Sequence, residues 1–168
     1  MTLNEFKVVI SKKNLIAFLC LFIVIEIGLI AMIIFSDYVL MGSVLAIVLL
    51  IIGLIAILST VLFSVKVIGS TIKVRTRSGG QYEFNCSDID EVICSKRDSV
   101  RYGPSFYITI MTKSQKLNLE GTMVGFQEMA GYILNKYENN EIRHTAVSEN
   151  CKKMLIRYKN GDIFKKKN

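Results

Sequence analysis

Two long apolar runs, Leu15–Phe35 and Val39–Val65, dominate the hydrophobic pattern, and beyond Gly69 it changes to short alternating stretches. The first run holds one charged residue, Glu26, and the second holds none. About 20 mostly apolar residues are needed to cross a hydrocarbon core of about 30 Å. Backbone in lipid must pair its own polar groups, so segments of this length cross as helices. The pattern therefore predicts a transmembrane hairpin over 14–68, with helices at about 14–36 and 39–68, behind a cytoplasmic segment at 1–13. The short connection Ser36-Asp37-Tyr38 makes the helices antiparallel. The second helix should overrun the first, with Phe6, Val8, Val9 and Ile10 packing beside its end or lying in the interface.

From Gly69 onward the period becomes two. Ile72, Val74 and Thr76 share one strand face, and Ser78-Gly79-Gly80 turns the chain into Gln81–Cys86. Ile89–Ser95, Ser105–Thr112 and Gln115–Glu120 complete five expected strands, with a polar loop at Lys96–Pro104. Thr122 then caps a helix whose residues Phe126, Met129, Ala130, Ile133, Leu134 and Tyr137 recur at three and four, ending at Asn139-Asn140. This places one small domain at 69–140 and a basic tail at 141–168. In the tail, Glu141–Asn150 reads as a polar linker, and Asn160-Gly161 between Met154–Tyr158 and Asp162–Lys166 reads as a hairpin. The expected fold is membrane α+β: a two-helix transmembrane hairpin, then a small antiparallel β domain closed by one amphipathic helix.

Three stretches carry a resemblance: the strand-turn-strand opening TIKVRTRSGGQYEFN, the step DIDEV, and the closing helix GFQEMAGYIL. Over Ser70–Tyr137 the segment resembles the bacterial pleckstrin-homology-like (PH-like) domains of small membrane proteins, as does the layout of two membrane helices before it. That family's barrel has seven strands before its helix, against five counted here. Either strands are merged in this count, or the barrel is incomplete, or another chain completes it. The resemblance implies a non-enzymatic binding or scaffolding module at a membrane. Lys73, Arg75 and Arg77 look superficially like the basic first-strand positions with which some such domains hold inositol phosphates; a solvated basic face is the simpler reading.

Charge sharpens the picture. The chain of 168 residues carries a net +7, and the excess sits at its ends: 151–168 holds seven Lys and Arg against Asp162, while 69–150 is balanced. Lys7, Lys12 and Lys13 precede the first apolar run, Lys66, Lys73, Arg75 and Arg77 follow the second, and the connection holds none. The positive-inside rule then places both termini in the cytoplasm, in a multi-pass protein of the plasma membrane. Lys12, Lys13, Lys152, Lys153, Lys165, Lys166 and Lys167 are the candidate contacts to anionic lipid headgroups. Basic charge without an aromatic platform gives no reason to expect nucleic acid.

If both helices run straight from Asp37, Glu26 lies level with Val48, and Ser43, the nearest hydroxyl on the other helix, is about 7 Å off in depth. A carboxylate there is costly unless protonated or partnered. Glu26 is thus the candidate contact to a second copy or another membrane protein. It also carries the alternative reading, an accessory subunit of a transporter or channel. Cys20, Cys86, Cys94 and Cys151 form no CxxC pair or zinc spacing and are expected to be reduced, packed thiols. The lone His144 has no nucleophile or carboxylate at a motif spacing, and no phosphate-loop, HExxH or GxSxG pattern occurs. No enzyme activity, cofactor or metal is expected.

Overall fold

A computed structural model describes residues 5–35, 39–99 and 103–162. The chain divides into two compact units. A β unit takes the chain up to Val9, Ser64–Val74 and everything from Gln81 on; a helical unit takes Ile10–Phe63 and the Arg75–Gly80 turn.

The helical unit pairs α1 (Lys12–Phe35) with α2 (Val39–Leu62). Both are apolar all round, and each contains a stretch long and apolar enough to cross a membrane, Leu15–Ile34 and Gly42–Leu62. The Ser36–Tyr38 connection lies outside the described residues. Close approach is made at glycine. A Cβ added to Gly53 would sit 2.0 Å from the Phe22 ring, and one at Gly42 would sit 2.7 Å from Ile33 Cγ1. Phe22 facing Gly53 and Ile33 facing Gly42 set a mirror that puts Glu26 level with Leu49, one residue from the expected Val48.

The expected second helix stops short. It ends at Leu62, and Ser64–Ile68 is instead a strand, β2, with Val65 and Val67 buried and Lys66 and Ile68 exposed. Hydropathy alone merged the two, because β-branched residues extend an apolar run without keeping the helical period. The N-terminal segment is also a strand, β1 (Glu5–Val9), pairing antiparallel with β2 from Glu5↔Ile68 to Val9↔Ser64. Both apolar helices are therefore an insertion between two adjacent, paired strands. Thr71–Arg75 (β3) and Gln81–Asn85 (β4) complete a four-stranded sheet in the order β1-β2-β3-β4.

A second antiparallel sheet holds β5 (Ile89–Ser99), β6 (Gly103–Thr112) and β7 (Lys116–Glu120) in that order. The stretch expected as a loop, Lys96–Pro104, is largely ladder: Lys96 pairs Phe106 and Ser99 pairs Gly103. Its polar composition reflects an exposed extension of the hairpin rather than missing strand. A register shift between Ile89 and Glu91 bends the start of β5. Five strands were expected after Gly69, and those five are present. The two further strands come from flanks that hydropathy had assigned elsewhere, giving four and three.

Helix α3 (Phe126–Glu138) buries Phe126, Met129, Ala130, Ile133, Leu134 and Tyr137, the expected face. Thr122 is not its cap. The helix starts three residues later, behind Gly125 at φ +88°, where an added Cβ would lie 2.5 Å from the Lys7 carbonyl oxygen. Just before it, Val124 makes a two-hydrogen-bond bridge to Val9, at 3.0 and 2.9 Å.

The tail differs most. Glu149–Lys159 forms a helix, α4, preceded by a short 3₁₀ turn at His144–Ala146. The alternation Met154, Ile156, Tyr158 suggested a strand, yet the buried residues are Cys151, Leu155 and Tyr158, spaced by four and three. Ser148 caps the helix by accepting from the Cys151 N–H at 3.2 Å, and Asn160-Gly161 ends it rather than turning a hairpin. The expected second arm, Asp162–Lys166, lies almost wholly outside the described residues. Cys94 and Cys151 are joined by a disulfide, which corrects the expectation of four thiols; Cys86 is a buried free thiol and Cys20 an exposed one.

Candidate functional site

The two ends of the β unit have different chemistry. At one end, β2 reverses into β3 through Gly69-Ser70, and a polar network closes over that turn. Tyr132 Oη donates to the Gly69 carbonyl at 2.9 Å, so the Cys86 thiol, 3.0 Å away, donates to the phenol oxygen. Lys136 Nζ donates to Glu141 Oε2 at 2.6 Å and to Ser70 Oγ at 2.9 Å, while Ser70 Oγ donates to the same carboxylate at 2.7 Å. Burial pushes the Tyr132 phenol well above the ordinary tyrosine range, with the Cys86 hydrogen bond adding to it. Hydrogen bonds from Lys136 and Ser70 hold the Glu141 carboxyl below its usual range. These groups lock α3 to the β2–β3 turn. No sequence motif announced them, because they come together from positions 69, 70, 86, 132, 136 and 141.

The other end carries both connections to the helical unit. Val9 and Ser64 are its last paired residues, and Val124 is bridged to Val9. The two-residue turn at Gly69-Ser70 brings β3 back antiparallel, so Arg75 returns level with Ser64. Helix α3 begins at this end. Gly161 lies beside it, since an added Cβ there would sit 3.0 Å from Gln127 Nε2. Gly161 thus lies at the same end; Lys165, Lys166 and Lys167 lie outside the described residues.

The basic positions singled out in the sequence divide between these ends. Lys73 forms an ion pair with Glu83 of β4 at 3.0 Å, so the Lys73–Arg75–Arg77 series is neutralised at its first member. Arg75 and Arg77 are exposed and form no ion pair among the described residues. Lys12 and Lys13 are exposed at the start of α1, three and four residues beyond Val9. Lys152 lies elsewhere, with its ammonium 5.3 Å from the centre of the Tyr137 ring near the end of α3; Lys153 is exposed one residue further along α4. Helix α4 runs back along α3, which carries Lys152 to the end opposite Gly161.

Glu26 lies in α1 with Oε1 buried and without a hydrogen-bond partner. Ser59 and Thr60 of α2 turn their hydroxyls to the Ala56 carbonyl, each at 2.8 Å. A polar cleft of about 290 Å³ opens between β4 and the β6–β7 turn. Glu83, Asp88, Asp90, Lys113 and Arg143 line it. Its carboxylates are already engaged: Glu83 with Lys73, Asp90 with Arg143 at 3.9 Å, and Asp88 with the Asn85 N–H at 2.9 Å. Among the described residues no group of three or more His, Cys, Asp or Glu is placed to hold a metal ion. No family model matches the chain, and neither a curated protein nor a solved structure does.

Proposed function

We propose that this chain is a membrane-anchored PH-like binding or scaffolding module. It is non-enzymatic, sits on the cytoplasmic face of the plasma membrane, and turns its helix-bearing end to an anionic leaflet. The observation that carries the reading is the place of the two apolar helices: they interrupt one β ladder between Val9 and Ser64. Two residues link Val9 to α1 and one links α2 to Ser64, and each spans at most about 3.6 Å. In a membrane, that end of the ladder is held within chain reach of the lipid headgroups. The basic groups there, Lys12, Lys13, Arg75 and Arg77, then each contribute about 1 kcal/mol of attraction, screened by salt. Four strands, three strands and a closing helix support the PH-like reading, and the charge asymmetry around the helices supports the cytoplasmic side.

The test places the full chain in nanodiscs of neutral or anionic lipid and follows hydrogen exchange. Anionic lipid should slow exchange in the Arg75–Gly80 turn, and added salt should reverse it. Equal exchange in both lipids would sink the electrostatic contact. Reporter fusions after Asn168 test the side: a fluorescent protein that matures only in the cytoplasm should light up.

A second reading has its own observation. The unpartnered Oε1 of Glu26 favours a contact with a second copy or another membrane protein, as in a transporter or channel accessory subunit. Glu26→Gln should then weaken self-association or co-purification of a partner from native membranes. An unchanged assembly would remove this reading.

A further inference from the structure

We infer that Cys94 and Cys151 form a thiol–disulfide exchange site for low-molecular-weight thiols and disulfides, and that the pair latches the start of α4 onto the outer edge of β5. This goes beyond the membrane-anchored reading and does not depend on it.

The two cysteines are 57 residues apart in sequence, with Cα atoms 5.0 Å apart, a separation at which a disulfide opens and closes without moving the backbone far. Their environments differ. Cys94 is partly exposed on β5, while Cys151 is 3% exposed in the first turn of α4. A cavity of about 180 Å³ lies against the pair, lined also by Glu91, Thr145, Ser148 and Asn150. An incoming thiolate thus has a polar approach to Cys94.

Cys151 has the better leaving position. Its N–H is bonded to the Ser148 hydroxyl, and its sulfur sits at the positive end of an eleven-residue helix, which favours a thiolate. Thiol–disulfide exchange expels the more stable thiolate more readily. In reduction, a thiolate attacks Cys94 Sγ, the Cys94–Cys151 bond breaks, and Cys151 departs as the thiolate. A second external thiolate attacks the mixed disulfide at its external sulfur. The products are Cys94 thiolate and one oxidised small-molecule disulfide. Oxidation runs in reverse, so two protein thiols and one small disulfide yield the closed pair and two small thiols.

What opens is limited. Leu155 is fully buried, Tyr158 is 1% exposed and donates to the Ser95 carbonyl at 3.2 Å, and both hold the rest of α4 without the disulfide. Upstream, Val147 makes a single bridge to Val92 on β5. Reduction therefore frees the His144–Cys151 stretch from the β5 edge while leaving the core in place.

The test uses the full chain in detergent with Cys20→Ser, equilibrated over ratios of reduced to oxidised glutathione and read by peptide mass mapping. The Cys94–Cys151 link should pass reversibly from nearly complete to nearly absent, and hydrogen exchange over 144–151 should quicken at least severalfold while α3 stays unchanged. Cys151→Ser should trap glutathione on Cys94. A link that yields to glutathione only in denaturant, or never closes in the folded chain, would overturn the inference. So would a folded Cys151→Ser chain that takes up no glutathione on Cys94. If that variant fails to fold, the exchange readout on the parent chain decides.

Discussion

The two units use their apolar residues in opposite ways. In the β unit, Val65, Val67, Ile72, Val74, Ile108, Ile110, Leu117 and Leu119 alternate with polar neighbours and turn inward, each at most 2% exposed. In the helical unit, Ile16, Leu21, Val24, Ile27, Ile30, Ile34, Val44, Ile47 and Ile55 are each more than half exposed. Among the described residues of α1 and α2, the one buried position is a glycine, Gly53. One unit makes its own apolar interior; the other presents its apolar surface to its surroundings and makes close approaches where Gly42 and Gly53 meet Ile33 and Phe22. What a hydrophobic residue does therefore depends on the period in which it recurs as well as on how many neighbours are apolar.

The largest test of that contrast separates the units. Replacing residues 10–63 with Asn-Gly should close β1 and β2 directly and give a water-soluble protein that unfolds cooperatively, since Val9 and Ser64 are already partners. A fragment beginning at Gly69 lacks Val8, Val65 and Val67 and should show no cooperative transition by circular dichroism. If that fragment folds, the flanking strands are not part of the core. Next in size, Leu155→Ala should cost the grafted β unit about 3 kcal/mol in urea unfolding, because the site is fully enclosed. A loss under about 1 kcal/mol would mean that α4 is peripheral.

In the helical unit the counterpart is overpacking. Gly53→Ala should weaken α1–α2 association by about 2 kcal/mol in a detergent-to-denaturing-detergent titration, and Phe22→Ala should restore part of it. Purely additive losses would separate Phe22 from Gly53. The smallest effect lies at the polar network. Glu141→Gln leaves Lys136, 14% exposed, without its carboxylate and should cost about 1 kcal/mol. Glu141 has its carboxyl held below the usual value of 4.5 in the fold, so its contribution is present above that pH and fades as pH falls through the lowered value. The parent and Glu141→Gln should therefore converge in stability at low pH.

Much of this was legible in the sequence. The two apolar helices, the five strands after Gly69 and the buried face of α3 all follow from hydrophobic period and turn residues. What was hidden had conflicting local signals. Val65-Lys66-Val67-Ile68 extends an apolar run, so its alternation was masked by the helix before it. Met154, Ile156 and Tyr158 alternate, while Cys151, Leu155 and Tyr158 give the helical spacing that burial selects, and the Ser148 cap was the available clue. The disulfide and the Tyr132–Lys136–Glu141 network join residues far apart in the chain, and one sequence holds no signal for such pairings. Of the candidate basic contacts, the sequence supplied the charges; only the antiparallel run of α4 against α3 places Lys152 beside Tyr137.

The ladder between Val9 and Ser64 also bears on how the protein is made. Strand β1 leaves the ribosome first, and its partner follows only after both long helices have been synthesised. Closing so long a loop from an unfolded chain carries a substantial entropic cost. Two antiparallel helices with three residues between them bring their outer ends side by side and remove most of it. In the proposed membrane setting, insertion of the helix pair would thus be the first folding step of the β unit, and a chain that failed to insert would be left with two strand edges apart.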